Sequence, residues 1–368
     1  MTLANKSAVK MTSGEPDFQT PQHIKDAAKK ALDDGYTYYT SAFGLPEFRD
    51  AVAQTLNEEG YAIKSRNILV SPGAIEAIFS VLFGFLNPED ECIIPNPGYS
   101  SYNTQISLAG AKSVGIELGG SNFKLDPTDL EKAITPRTRI VILNSPSNPT
   151  GAMIDFRDLK EIVEICKEHD LLLLSDEAYD KIVFDGRKQT SVLEFSDIYE
   201  NLVAIKSLSK TYAMTGWRLG YLVGSSEMVK ELSKIQTYIL LSVSATSQKA
   251  GVAALRGPQN FVAEMVREFE ERRNLIVREL SRIAGIDCPK PEGAFYVFPS
   301  FSGFPITSSF EMARYLLSEG GIGVYPGVGF GTRGEGRIRL SFATSRETIQ
   351  EALRRLESSL HHLNLAAK

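Results

Sequence analysis

Cysteine is scarce. The three in 368 residues, Cys92, Cys166 and Cys288, lie far apart and make no C-x-x-C pair. An odd count without metal-ligand spacing argues against a disulfide framework and suits reduced thiols. Histidine is nearly as rare, with four, and the adjacent His361 and His362 cannot make an H-x-x-x-H zinc pair. No metal site is expected. Long apolar runs are also missing. "LLLL" at 171–174 and "VLFGFL" at 81–86 are far shorter than the ~20 residues of a membrane span. The opening "MTLANKSAVKM" has no apolar signal core, so a cytoplasmic protein is expected. Basic residues do not predominate. There are 40 against 45 acidic ones, a net charge of −5, with no basic block interleaved with aromatics. Nucleic acid is not the expected partner.

What is present is an ordinary globular composition, 43% apolar and 23% charged, long enough for two domains or one large α/β unit with a smaller appendage. Helical periodicity marks "PQHIKDAAKKAL" (21–32), "LPEFRDAVAQTLNEEG" (45–60), the strongly apolar "AIEAIFSVLFGFL" (74–86) and "FRDLKEIVEICKEHD" (156–170). Between them, "ECIIPN" (91–96), "RIVILNSP" (139–146), "LLLLSDE" (171–177) and "LVAIKSL" (202–208) read as buried strands. The alternation predicts an α/β fold with a mainly parallel sheet covered on both faces. From about residue 260 the texture changes to a long charged helix (261–283), then "GAFYVFPSF", a helix near 308–319, "GIGVYPG", "RIRLSFA" and a final helix from about 345. That mixture predicts a smaller α+β domain. No repeat, low-complexity tract or long linker interrupts the chain.

Ligands of open α/β sheets bind at the carboxyl ends of the strands. After "RIVIL" comes Asn144-Ser145-Pro146-Ser147-Asn148-Pro149-Thr150-Gly151; after "LLLL" come Asp176 and Tyr179; after "LVAIK" come Ser207, Ser209, Lys210 and, eight residues on, Arg218. Ser71-Pro72-Gly73 leads into the apolar helix, whose first backbone amides form an anion site. A carboxylate, a phenol, a carboxamide, an amine, an arginine and a helix N-terminus together fit a bound phosphorylated aromatic aldehyde. Lysine forms a Schiff base with an aldehyde and, once displaced, moves protons. Asp176 would keep a pyridine nitrogen protonated, which makes the ring an electron sink. Tyr179 and Asn148 would hydrogen-bond the ring's phenolate oxygen, and Arg218, the two serines and the helix at 74 would share the phosphate charge.

In order along nearly the whole chain, "SGEPDF" (13–18), "YYTSAFGLPEFRDA" (38–51), "NSPSNPTGA" (144–152), "SDEAYD" (175–180), "SLSKTYAMTGWRLGY" (207–221), "PEGAFYVF" (291–298) and "RIRLSFATS" (337–345) resemble the class I/II aminotransferases of the aspartate aminotransferase superfamily. The resemblance implies a fold type I enzyme. It would have a large domain with a seven-stranded, mostly parallel sheet (39–270) and a small domain made from both chain ends (1–38 and 271–368). It implies a homodimer with shared active sites, pyridoxal 5'-phosphate as cofactor, and ping-pong transfer of an amino group from an amino acid to a 2-oxo acid through a Lys210 aldimine. By position, Asp176 matches the pyridine-nitrogen partner, Tyr179 the phenolate-binding tyrosine and Asn148 the asparagine of the NPTG motif. Ser207, Ser209 and Arg218 match the phosphate ligands, with the backbone around Gly73, Ala74 and Ile75. Tyr99 matches the aromatic stacked on the ring and Arg339 the arginine that grips the substrate carboxylate. Gly14 matches a glycine whose backbone approaches the substrate. Tyr39 matches a tyrosine that reaches the neighbouring subunit's phosphate.

Simpler readings stand beside these. Asp176 would equally cap a helix, Tyr99 pack in a core, and Arg337 and Arg339 face solvent from a half-exposed strand whose other side, Ile338, Leu340 and Phe342, is buried. Lys206 reads as structural. Gly329 to Gly334 fits G-x-G-x-x-G, but a strand pattern follows where a dinucleotide fingerprint needs a helix. Ser207 to Lys210 fits S-x-x-K without the S-D-N and K-T-G partners of acyl-serine enzymes. Two alternatives to transamination remain: a carbon–sulfur β-lyase on the same cofactor, and a non-enzymatic cofactor-binding regulator, for which no DNA-binding module is visible. Where some aspartate-using relatives carry a lysine for the distal carboxylate, this chain has Ile75. Aromatic or aliphatic amino acids are therefore expected as substrates, with Thr12 and Arg333 as the remaining candidates to bind an acidic one.

Overall fold

The computed structural model describes residues 8–120 and 122–366. A short first strand, β1 (Val9–Lys10), precedes seven strands that form one sheet: β2 (Ile68–Ser71), β3 (Glu91–Asn96), β4 (Lys112–Glu117), β5 (Thr138–Asn144), β6 (Leu172–Asp176), β7 (Leu202–Ser207) and β8 (Gly220–Val223). Their order is β2-β8-β7-β6-β5-β3-β4, and only β8 runs against the rest. Side chains along β5 alternate. Ile140 and Ile142 enter one apolar cluster, Val141 and Leu143 the other, because successive residues of a strand face opposite sides. Helices Gln22–Asp33, Pro46–Glu58, Phe156–Glu168 and Ala245–Arg256 cover one face, and Ala74–Phe85, Ser101–Leu108 and Ser226–Leu240 the other. Each fully buried Leu or Ile of these clusters contributes roughly 1.5–3 kcal/mol.

Local chemistry sets the element ends. In Phe156–Glu168 the buried residues Leu159, Ile162, Val163 and Cys166 fall at i, i+3, i+4 and i+7. Pro46 opens its helix at a position where no amide is needed, and Gly60 (φ +107) closes it. The amides of Gly60 and Tyr61 return to the carbonyls of Asn57 and Leu56, the paired bonds of a Schellman stop.

The remaining strands are β9 (Tyr296–Val297), β10 (Ile322–Gly323), β11 (Tyr325–Pro326) and β12 (Ile338–Ser341). β1 pairs in parallel with β10, so the first described segment joins the C-terminal part of the chain, and β11-β12-β9 form an antiparallel trio. Helices Asn260–Leu280, Ser309–Ser318 and Arg346–Ala366 pack on them around Phe269, Phe295, Phe342 and Leu356. Asn260–Leu280 runs unbroken through position 270. Its wholly buried Arg273 forms a two-pronged pair with Asp185 at 2.7 and 2.8 Å, with its cation over Phe184. That guanidinium holds the Asp185 carboxyl far below the usual range. The first residues of the arm before Gly14, 1–7, lie outside the described residues. No helix among the described residues is long and apolar enough to cross a membrane.

The sheet has the seven strands that the resemblance implied. Three features depart from the local sequence reading. β2, β4 and β8 were not located by pattern. β2 and β8 are four residues long, and β4 is an edge strand with Lys112 and Ser113 exposed. All four residues of β12 are buried, so it is not half-exposed, and Arg337 lies just before it with its cation 4.7 Å from the Phe123 ring. The Gly329–Gly334 segment folds as two short 3₁₀ turns leading to β12, which disposes of a dinucleotide fingerprint.

Candidate active site

Three strands of the sheet end on three polar side chains: β5 on Asn144, β6 on Asp176 and β7 on Ser207. A cavity of about 420 Å³ opens above them. Ser207 Oγ accepts from the Ser209 amide at 3.2 Å and so starts the turn Leu208–Thr211 that presents Lys210. Lys210 Nζ donates to the carbonyl of Gly14. Burial, aided by Arg218 and Arg339 and opposed by Glu15 and Asp176, lowers this amine to about 8. About one amine in ten is then unprotonated at pH 7, far more than for an ordinary lysine, which makes it a competent nucleophile.

Arg218 occupies left-handed backbone (φ +52) and donates to the carbonyls of Thr215 at 2.8 Å and Pro72 at 3.0 Å. Its guanidinium therefore lies at the start of helix Ala74–Phe85, where the unpaired backbone amides carry the positive end of the helix dipole. Gly73 makes the approach possible. Its φ is +94, and a Cβ there would sit 2.6 Å from Arg218 Nη2. Arginine, two hydroxyls and a helix start form an anion-binding end of the cavity.

Asp176 is 5% exposed and accepts from the Tyr102 hydroxyl at 2.7 Å and the Ala178 amide at 3.1 Å. Burial pushes its carboxyl up, and these two hydrogen bonds oppose the push. Asn144 Nδ2 donates to the Asp176 backbone carbonyl at 3.0 Å, and Asn144 Oδ1 accepts from the Asn148 backbone amide at 2.8 Å, so the loop after β5 is pinned to the end of β6. Tyr179 and Tyr296 share a hydroxyl–hydroxyl hydrogen bond of 2.9 Å, both phenols pushed up by burial.

At the far end lies Arg339, 5% exposed. It donates to Asn148 Oδ1 at 2.9 Å and to the Thr12 carbonyl at 3.2 Å, and its cation sits 4.3, 4.6 and 5.0 Å from the rings of Tyr296, Tyr325 and Phe330. Its Nε has no partner, and no carboxylate among the described residues pairs with it. A buried cation without a counter-ion is costly unless a ligand supplies the charge. A carboxylate, planar and two-pronged, matches a guanidinium.

Of the residues expected from sequence, Gly14, Ala74, Ile75, Tyr99, Asn148, Asp176, Tyr179, Ser207, Ser209, Lys210, Arg218 and Arg339 line this one cavity. Gly73 stands directly behind it as the helix cap. Tyr39 does not line it. In the single chain its side chain is 81% exposed. Thr12 lines the cavity, whereas Arg333 does not and stands 3.6 Å from Glu117. Lys206 is buried between Glu177 at 2.8 Å and Asp180 at 2.7 Å, a structural ion cluster. Sequence reasoning missed Tyr102, Tyr296, Tyr325 and Phe330, and it placed Asn144 at the strand end without a role. Asn144 carries a signal, as the terminal polar residue of an apolar strand. The aromatics carry none that separates them from core.

The residues fit a phosphorylated pyridine aldehyde: an anion cradle, a buried carboxylate, a phenol pair and an amine lowered by burial, with an arginine that lacks a counter-ion facing them. Comparisons with known proteins agree. The family described as Aminotransferase class I and II matches residues 6–356. The chain is 40% identical over 359 residues to an aspartate aminotransferase of Pyrococcus horikoshii, covering 96% of this chain and 91% of that one. It is also 40% identical to aromatic-amino-acid aminotransferase 2 of Thermococcus litoralis, covering 96% and 91%. The crystal structure of an aspartate aminotransferase from Rhizobium meliloti superposes with a TM-score of 0.94 at 38% identity, over 99% of this chain and 94% of that one. An aromatic aminotransferase from Pyrococcus horikoshii gives 0.94 at 37% identity, over 98% and 97%. The chain thus belongs to the class I and II aminotransferase family and is a transaminase.

Proposed function

We propose that this transaminase holds pyridoxal 5'-phosphate through Lys210 and moves an amino group from an L-amino acid to a 2-oxo acid in two ping-pong half-reactions. The observation that carries the reading is the placement of the Lys210 amine in one cavity between the Arg218 end and Arg339, whose buried cation has no counter-ion. When bound, the cofactor supplies an aromatic ring that accepts the electron pair left as the substrate's α-carbon–hydrogen bond breaks. The chain does the rest. Ser207, Ser209, Arg218 and the amides after Gly73 hold the phosphate. Asp176 keeps the ring nitrogen protonated, Tyr179 and Asn148 donate to the ring oxygen, and Tyr99 packs on the ring. Arg339, with Asn148 and the backbone at Gly14, orients the substrate carboxylate so that the α-hydrogen faces Lys210 Nζ, which takes the proton and returns it.

Ile75 on the cavity wall, with Tyr325 and Phe330 near Arg339, admits aromatic and aliphatic amino acids and leaves aspartate less strongly favoured than in relatives with a lysine there. The named relatives include both aspartate and aromatic enzymes. We also place the chain in the cytoplasm as a homodimer with domains 1–38 plus 271–368 and 39–270. Tyr38, Tyr39 and Tyr238 are 84, 81 and 92% exposed, and the segments that carry them are joined by the Thr40 amide bonded to Ser242 Oγ at 3.2 Å. So many bare aromatics suit an interface. The test of the central reading is reduction of the cofactor-loaded protein with borohydride followed by peptide mapping. The pyridoxyl adduct should fall on the Lys210 peptide; an adduct on Lys206 or any other lysine refutes it.

A further inference from the structure

We propose that Tyr296 is a positioning residue of the transamination site, its hydroxyl donating to Tyr179 while its ring carries Arg339, so that one side chain sets both the grip on the cofactor's ring oxygen and the grip on the substrate's carboxylate. This rests on the function proposed above.

The geometry leaves little freedom. Tyr296 is 1% exposed, and its strand β9 is paired with β12 in the register Ser341 opposite Tyr296. Arg339 is then the diagonal neighbour on the same face, within reach of a ring, and its cation lies 4.3 Å from the Tyr296 centroid. At the other end of the ring, the hydroxyl lies 2.9 Å from that of Tyr179. It also lies beside Gly14, where an added Cβ would be 3.6 Å away. An ordinary core position here would take phenylalanine, as Phe295 next to it does. A buried hydroxyl on the wall of the site needs a reason.

Proton counting supplies one. Each phenol has a single proton, and burial pushes both groups up, so both keep it. Once Tyr179 donates its proton to the ring oxygen, the 2.9 Å contact persists only with Tyr296 as donor and Tyr179 as acceptor. An accepted hydrogen bond polarises the bond Tyr179 donates and strengthens it. Stronger donation by Tyr179 would favour the anionic form of the ring oxygen when the cofactor is bound, and would so lower the pH at which the cofactor's visible absorbance changes.

The assay is the pH midpoint of the visible absorbance change of the cofactor-loaded protein, a quantity that packing alone does not move. Tyr296→Phe keeps the ring and should raise the midpoint by roughly 0.2–0.6 pH unit, the effect of weakening a charge-assisted hydrogen bond by a fraction. Its KM for the amino acid should stay within about twofold, because the stack on Arg339 survives. Tyr296→Leu should raise the midpoint similarly and KM by about tenfold, the loss of a desolvated cation–ring contact. Tyr179→Phe and the double variant Tyr179→Phe/Tyr296→Phe should share one midpoint, since Tyr296 acts through Tyr179. A wild-type midpoint in Tyr296→Phe, or shifts that add in the double variant, overturns the proposal. If Tyr296→Phe does not fold, a fluorotyrosine at 296, a stronger donor of nearly the same shape, should lower the midpoint. An unchanged or raised midpoint is the refuting result. Absence of any visible band in wild-type protein mixed with cofactor would instead sink the underlying function, and is distinguishable on sight.

Discussion

Replacing Asp176 by asparagine removes one negative charge and little else. The carboxylate is 5% exposed and already accepts from Tyr102 at 2.7 Å and Ala178 at 3.1 Å. The asparagine carbonyl can keep the Ala178 bond, and the Tyr102 hydroxyl can rotate to accept from the new amide. The fold should therefore lose no more than ~1–2 kcal/mol, the scale of one altered buried hydrogen bond. Catalysis should suffer far more. The protonated ring nitrogen would lose its buried ionic partner at the stage when the ring takes up electrons. Loss of one such preorganised electrostatic contact commonly costs ~10²–10³ in rate, or about 2.7–4 kcal/mol of transition-state stabilisation. The assay is a single half-reaction, in which loaded protein is mixed with excess amino acid and the change in cofactor absorbance is timed. Equilibrium dialysis of the cofactor runs alongside. The expected pattern is a rate down by at least ~100-fold with cofactor retained. Asp176→Ala should behave alike in rate and lose more stability, because it strands the Tyr102 hydroxyl. Near-normal turnover in Asp176→Asn would refute the argument and leave Asp176 as a cap on the Ala178 amide.

With the Lys210 amine lowered to about 8, the rate of aldehyde capture by cofactor-free protein should rise with pH up to about 8 and level off above; a rise continuing towards 10.5 would show an unshifted lysine. Lys206→Met should destabilise the protein by about 3–5 kcal/mol in urea unfolding, because it leaves Glu177 and Asp180 buried without their cation; a loss below ~1 kcal/mol would place that cluster in contact with solvent. Mixing Lys210→Ala with Tyr39→Phe subunits should restore one working site per heterodimer, and no gain after confirmed exchange would show that Tyr39 serves its own chain or none. The ratio of kcat/KM for aspartate to that for phenylalanine, with 2-oxoglutarate as acceptor, should lie below ~100-fold and shift towards aspartate in Ile75→Lys; a larger native preference would mean that another residue reads the distal carboxylate.

Residues that carry unusual chemistry for their position were legible in the sequence. Lys210 among hydroxyls, Asp176 at the end of "LLLLSD" and Arg339 inside an apolar strand each break the local pattern, and all three meet in one cavity. The long buried strands β3, β5, β6 and β7 were legible for the opposite reason, as unbroken apolar runs flanked by helices. Short strands were not. Four residues of β2 or β8 hold no period, and they become strands only because their neighbours supply the hydrogen bonds. Tyr102, Tyr296, Tyr325 and Phe330 escaped for a related reason. An aromatic that shapes a site and an aromatic that fills a core have the same local signature, and only the register of β9 against β12, or the turn of Ser101–Leu108 towards Asp176, separates them. Tyr39 is the converse case. Its motif is plain in the sequence, yet in a single chain it is 81% exposed.

Charge explains why the site stands out from the rest of the molecule. Elsewhere the buried ions are paired: Arg273 with Asp185, Arg272 with Asp17 and Glu268, Lys206 with Glu177 and Asp180. In the cavity, Lys210, Arg218 and Arg339 face a single carboxylate, Asp176. That imbalance is a local inconsistency that folding alone would not favour. A phosphate at one end and a substrate carboxylate at the other would correct it, and the lowering of the Lys210 amine by burial limits the cost meanwhile. Ligands that bind only the folded state stabilise it in proportion to the logarithm of their saturation. Under the proposed function, the same excess of positive charge would draw both anions in and set them on either side of Lys210.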